Sequence, residues 1–199
     1  MTVAVAPPNQ LHRGYWTVDT IDLGQARELV ARLHYAGGGS NTATFRHGLF
    51  RQWDWPFQPM GAAWWIPPTR TAAEASTSGD WRRVLALSRF VLDPLVPKNG
   101  ASFLLSRSVR LINRTGDWDV LVTYADEWQG HTGTMYLAAG WEYVGKTKPE
   151  RVYVLNGRMV ARKAGPHTRT HAEMLALGAE CVGSFAKHKF RLVLARAAA

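Results

Sequence analysis

The residues best equipped for chemistry fall in three short segments. The densest is 123–145, TYADEWQGHTGTMYLAAGWEYVG. Asp126 follows the apolar run Val120–Ala125, which reads as a buried strand. Ligands of open α/β sheets sit outside the carboxyl ends of strands. Asp126 is therefore suited to bind a metal, to accept a proton, or simply to cap the next helix. His131 lies in a Gly-rich turn, as a ligand, a base or a solvated loop residue. Tyr136 falls in a short helix, where it can donate a proton or pack against the sheet.

The second segment is Leu87–Ser106, LSRFVLDPLVPKNGASFLLS. A strand runs into Lys98, Asn99, Gly100, Ala101 and Ser102, which open a helix. Free N–H groups at a helix start make an anion site. Lys98 would add charge to it, and Ser102 a first-turn hydroxyl. Strand alternation puts Arg89 on the face of Leu87, opposite Phe90, aimed at a cleft or at solvent. The third segment is His34–Tyr35, ahead of the Gly37–Gly39 run. Histidine with carboxylate is the raw material of a non-haem iron site, here His34 with Asp126. The local patterns HExxH, paired CxxC and GxxxxGK[ST] are absent.

These segments need a scaffold. Residues 1–13 read as a flexible arm, and 14–199 as one domain. A strand is expected at Tyr15–Asp19 and a helix at Leu23–Leu33 capped by Asp22. Strands follow at Thr42–Phe50 and Met60–Ile66, joined by the aromatic loop Arg51–Pro59. Trp53 and Trp55 in that loop are candidates for stacking on bases. Pro67–Asp80 shows no periodicity and reads as a loop. Next come a strand at Arg82–Leu92, a helix at Ala101–Arg114, the strand Val120–Ala125, a short helix at Gly130–Ala139 and a strand at Trp141–Thr147. A hairpin over Arg151–Lys163 turns at Asn156–Gly157. A helix at Thr170–Ala179 and a strand at Phe190–Leu194 complete a C-terminal extension. Strands alternating with helices imply a mixed α/β sheet.

Composition narrows the partners. Lys and Arg number 24 against 15 Asp and Glu, a net charge of +9, and most of the cations are arginine. Arginine's planar fork matches phosphate and stacks on bases, so a polyanion is the expected partner. Cys181 is the sole cysteine, so no disulfide framework can form. No apolar run is long enough to span a bilayer. Met1–Gln10 lacks the features of a signal peptide. A soluble, cytoplasmic protein with no membrane partner is expected.

The order of elements resembles the GNAT acyltransferase fold, a mostly antiparallel central sheet with helices on both faces. In that fold the loop before the second main helix holds the pyrophosphate of coenzyme A. Val96–Ala101 reads VPKNGA, and only its Gly–Ala end matches the Arg/Gln-x-x-Gly-x-Gly/Ala pattern. YLAAGW at Tyr136–Trp141 is similar to the Tyr-x-x-x-Gly-Phe motif, whose tyrosine protonates the leaving thiolate. More specifically, the chain resembles the Mom family of phage DNA-modification proteins. The likeness rests on His34–Tyr35, LSRFVL at Leu87–Leu92, NGASFLLSR at Asn99–Arg107 and YADEWQGHTGTMY at Tyr124–Tyr136.

That resemblance implies a DNA-modifying transferase. It would place a methylcarbamoyl- or acetamido-type group on the exocyclic amine of adenine in double-stranded phage DNA, protecting the DNA from restriction in the infected cell. It implies iron(II) and an acetyl-CoA-like donor as cofactors. His34, Tyr35, Asp126 and Tyr136 would form the catalytic cluster, with His34 and Asp126 as metal ligands. Arg89, Lys98, Asn99, Gly100, Ala101 and Ser102 would hold the cosubstrate. Two rival readings share the fold: an acetyl-CoA-dependent N-acyltransferase acting on a small amine or a protein, and a non-catalytic basic domain that binds nucleic acid.

Overall fold

The computed structural model describes residues 10–35, 38–39, 42–164 and 166–195. Seven strands form the central sheet: β1 (Trp16–Thr20), β2 (Phe45–Arg51), β3 (Gly61–Ile66), β4 (Val84–Leu92), β5 (Val120–Asp126), β6 (Glu142–Lys146) and β12 (Lys187–Val193). Their spatial order is β1-β2-β3-β4-β5-β12-β6. Only the β4–β5 pair is parallel. The expected mixed, mostly antiparallel sheet is present, with helices on both faces.

The sequence GAAWWI of β3 shows why two helical layers are needed. Trp64 and Trp65 are adjacent, so they point to opposite faces, yet both are fully buried. Trp64 packs with Ala26, Leu29 and Val30 of α1 (Leu23–Leu33). Trp65 packs with Phe103, Leu104 and Ile112 of α3 (Gly100–Asn113). Losing either ring would cost about 3–5 kcal/mol. α1 starts where expected, because Asp22 and Gln25 form a reciprocal capping box.

The fold departs from the sequence reading in three places. Pro67–Asp80 is not a bare loop: Arg70–Glu74 forms α2, whose Ala73 packs on Val84, Ala86, Val120 and Val122. Its run of small residues suits close approach to the sheet, which a search for large apolar residues overlooks. Thr134–Ala138 alone forms the short helix α4, since Gly130 and Gly133 adopt positive φ. The final strand is no extension: β12 lies between β5 and β6. What precedes it is an insertion. β7 (Glu150–Leu155), β8 (Arg158–Met159) and β11 (Glu180–Phe185) form a separate three-stranded sheet. It is joined by the hairpin β9 (Lys163–Ala164) and β10 (His167–Thr168), and by α5 (His171–Ala176).

Of the arm expected over 1–13, only the last residues are described. Residues 1–9 lie outside the described residues, as does Gly37 of the glycine run. Gln10 bridges to Lys98, and the Leu11 N–H donates to the Lys98 carbonyl at 2.9 Å. The end of the arm is thus fastened to the loop that opens α3.

Candidate active site

The parallel pairing of β4 and β5 runs from Val84–Val120 to Leu87–Thr123 and stops there. Both strands continue, β4 held by β3 and β5 by β12, so they diverge. A bulge marks the split: Leu87 pairs with Trp65 and Arg89 with Trp64, leaving Ser88 extra. A cleft of about 450 Å³ opens at this point. Its walls include His34 and Tyr35 from one side of the sheet, and Ala101, Thr134 and Tyr136 from the α3 and α4 side. Ser88, Thr123 and His131 line its middle. The cleft therefore passes through the sheet.

On the α1 side, Tyr35 Oη donates to Asp126 Oδ2 at 3.2 Å. Asp126 is 5% exposed. Its Oδ1 accepts from the Trp128 N–H at 3.1 Å, and Lys187 Nζ stands 3.8 Å from Oδ2. The capping and site readings of Asp126 are thus compatible, one oxygen serving each. Burial, then the charge and hydrogen bond of Asp126, push the Tyr35 hydroxyl well above the usual phenol range. Tyr35 stays protonated at neutral pH. With its proton committed to Asp126, its oxygen lone pairs remain for a donor in the cleft. His34 stacks on Tyr35 with centroids 4.4 Å apart. Burial, helped by nearby Arg89 and His131, lowers its pKa to about 4, so the imidazole is neutral.

Arg89 departs from the strand-alternation reading. The bulge at Ser88 shifts the period, so Arg89 shares the Trp64 face rather than that of Leu87. It does not line the cleft. Its Nε donates to the Gly38 carbonyl at 2.6 Å and Nη1 to the Ser88 carbonyl at 2.7 Å. It ties the segment after Tyr35 to the bulge.

On the other side, Tyr136 is buried against Trp141 and Phe190. Burial raises its pKa, and a hydrogen bond from the Thr123 side chain opposes the rise. Its helix begins at Gly133, φ +75°, where an added Cβ would sit 2.2 Å from the Phe190 ring. A side chain there would displace the turn that aims Tyr136. The start of α3 is equally constrained. Asn99 is left-handed at φ 70°, and a Cβ on Gly100 would lie 2.1 Å from Val96 Cγ1.

The expected cosubstrate residues divide. Ala101 lines the cleft, while Asn99 and Ser102 line a neighbouring groove of about 440 Å³ along α3. Ser102 Oγ donates to the Asn99 carbonyl at 3.0 Å. Arg13, Arg107 and Arg110 border the same groove. Lys98 is in contact with the chain start instead. Thr123 and Ser88 were missed by sequence reasoning. Ser88 gave no signal, because a bulge is invisible in a continuous strand pattern. Thr123, the one polar residue within the apolar run Val120–Ala125, gave a weak signal.

The donors around His34 and Asp126 do not suit iron. Asp126 already serves an N–H, a hydroxyl and an ammonium. No group of three His, Cys, Asp or Glu side chains gathers among the described residues.

Comparison with known proteins places the chain. The model of the Mom protein family matches residues 15–195. The chain belongs to the Mom protein family. None of the curated proteins compared matches its sequence. Its fold is that of GNAT acetyltransferases. The ribosomal-protein-S18-alanine N-acetyltransferase of Escherichia coli aligns with a TM-score of 0.53 at 11% identity, covering 92% of this chain and 96% of that one. YncA of Salmonella typhimurium, solved with its cofactor acetyl-CoA, gives 0.54 at 14% identity, with 92% and 96% covered. An N-acetyltransferase of Staphylococcus aureus Mu50 gives 0.55 at 11%, with 90% and 99% covered. This Mom family member thus has the acetyltransferase fold. No helix among its described residues is long and apolar enough to cross a membrane.

Proposed function

We propose that this Mom family protein is a transferase that modifies the exocyclic amino group of adenine in double-stranded DNA. The group added is of methylcarbamoyl or acetamido type, and the outcome is escape from restriction in an infected cell's cytoplasm. The observation that carries the reading is the cleft through the sheet, with a tyrosine hydroxyl toward each side. One substrate can approach from the α1 side and the other from the α3 side, so the two meet in line.

The α3 side suits an anionic donor. Its groove is bordered by Arg13, Arg107 and Arg110, and α3 starts there without a side-chain cap on its N–H groups. A coenzyme A conjugate whose carbonyl already bears the methylamino nitrogen would, when bound, supply the activated methylcarbamoyl group, with the coenzyme A thiolate as the leaving group. Ala101 and Ser102 then lie near the donor, and Tyr136 holds a proton where a leaving thiolate needs one. Burial keeps that proton in place until it is required.

The α1 side suits the amine. Adenine's amino lone pair is delocalised and its base is paired, so the enzyme must extrude it at a cost of a few kcal/mol. The Tyr35 oxygen, oriented by Asp126, accepts one N–H of the amine. His131 and the neutral imidazole of His34 are within the same wall. These contacts turn the nitrogen lone pair toward the donor side and strengthen as positive charge grows on nitrogen. As the N–C bond forms, the amine proton passes to the Tyr35 oxygen and the Tyr35 proton to Asp126.

Expression in a bacterial host, followed by nucleoside mass spectrometry of its DNA, tests the proposal. A mass-shifted deoxyadenosine is expected. Unmodified DNA from cells holding folded protein, together with acetylation of a small amine in vitro, would replace this reading with that of an ordinary N-acyltransferase.

A further inference from the structure

The inserted β7–β11 segment takes no part in the chemistry above, yet it and its two ends carry more than half of the chain's net positive charge. Residues 146–187 hold eight Lys and Arg against three Glu, five of the nine net positive charges in about a fifth of the sequence. The insertion leaves the sheet after Lys146 and returns at Lys187. Those ends lie beside Asp126, because Lys187 pairs with Asp126 and His188 with Lys146. The insertion is therefore rooted at the end of the sheet where the cleft opens.

Between the insertion and the sheet runs a groove of about 400 Å³, with Arg151, Arg162, Lys163 and Lys187 in its walls. Asp126 lines it too, and through the Tyr35 hydrogen bond it joins the groove to the cleft. Lys187 stands beside Asp126 and Glu150 also lines the groove, yet two of its cations lack the carboxylate partners that several arginines have elsewhere. Arg51, Arg70, Arg83 and Arg191 each have a carboxylate partner. Arg151 and Lys163 are exposed and form no ion pair among the described residues. Arg162 is oriented by its Nε–H, which donates to the Arg169 carbonyl at 2.8 Å.

We infer that this groove is the clamp for the duplex backbone: Arg151, Lys163 and Lys187 hold phosphates next to the adenine presented to Tyr35. The inference rests on the DNA reading of the cleft. Phosphate contacts fix position and orientation without reading sequence. A two-sided cleft needs that service, because its acceptor must be presented from one side only. The aromatic loop at Trp53–Phe57 offers exposed rings but no comparable charge.

Fluorescence anisotropy with the full chain and a labelled duplex of 20–30 base pairs, repeated over a salt series, tests the clamp. Each phosphate contact adds about 0.9 to the slope of log affinity against log salt. Arg151→Gln with Lys163→Gln should lower the slope by about 2 and weaken binding roughly tenfold or more at low salt, equally for unrelated sequences. Each single variant should lower it by about 1. Arg70→Gln with Arg82→Gln, at the opposite end of the sheet, should leave slope and affinity unchanged. Thermal melts matched to the parent protein show that the variants fold. A parent that binds duplex steeply with salt, while the Arg151/Lys163 variant behaves identically, overturns the clamp and leaves the DNA reading standing. Transfer of the slope loss to Arg107→Gln with Arg110→Gln also overturns it. A parent that binds no duplex overturns both.

Discussion

Tyr35 and Asp126, separated by 91 positions in the chain, meet through a 3.2 Å hydrogen bond in which the phenol is the donor. The direction of that bond decides what each can do. Asp126 is occupied as an acceptor, and Tyr35 offers lone pairs rather than a free proton. Tyr35→Phe should therefore leave the fold intact, because the Trp128 and Lys187 contacts of Asp126 survive. Modified deoxyadenosine should fall by about 10²-fold or more, the usual worth of a positioned acid–base group. Mass spectrometry beside a thermal melt checks this. Parent-level modification would remove Tyr35 from the mechanism.

Asp126→Ala differs from it by damaging both sides. It frees the Tyr35 hydroxyl, uncaps Trp128 and leaves Lys187 without its partner. Stability should drop by about 1–3 kcal/mol, since buried partners are left unsatisfied. Asp126→Asn keeps an acceptor oxygen and should retain most of the stability. Urea titrations of the two variants separate the effects: equal midpoints would deny the carboxylate its structural share.

Tyr136→Phe removes one hydroxyl and keeps the ring against Trp141 and Phe190. We expect a change in stability below about 1 kcal/mol, consistent with loss of a single hydrogen bond. Activity should fall by about 10²-fold or more at neutral pH. The loss should shrink with donors whose leaving group is already a stable anion, because such a group needs no proton. A uniform loss across donors of different leaving-group pKa would assign Tyr136 to packing.

Gly133→Ala should be among the most damaging small substitutions. Position 133 combines a left-handed backbone with a Cβ site 2.2 Å from Phe190. The backbone term alone costs about 1–2 kcal/mol, and forcing the ring aside adds about 1–3 kcal/mol. A thermal melt unchanged from the parent would show that the α4 turn tolerates a side chain.

His34 and His47 both have pKa values lowered from 6.5 to about 4, chiefly by burial. Below pH 6.5 the unfolded chain takes up protons that the folded chain refuses until about pH 4. Stability present above that window is thus lost progressively as pH falls through it. The melting temperature should decline from pH 6.5 toward pH 4, and His34→Gln should flatten part of the decline. Parallel pH profiles for parent and variant would show that His34 is not held neutral.

The sequence by itself determined the elements whose signals are local. Asp22 announces the start of α1, Asn156–Gly157 announces its turn, and the apolar run of β5 announces a strand buried on both faces. It also singles out His34, Tyr35 and Tyr136 as candidate site residues, by type and by likeness to a family. All three line one cleft. Tertiary structure alone decided the rest. Ser88's bulge turns Arg89 away from the cleft, because one extra residue inverts the alternation of every later side chain. The placement of β12 between β5 and β6 depends on backbone pairing, which carries no residue-specific signal. It makes an insertion of what reads as an extension. The contact of Tyr35 with Asp126 and the divergence of β4 from β5 are both non-local. Each exists only once the seven strands have closed into one sheet.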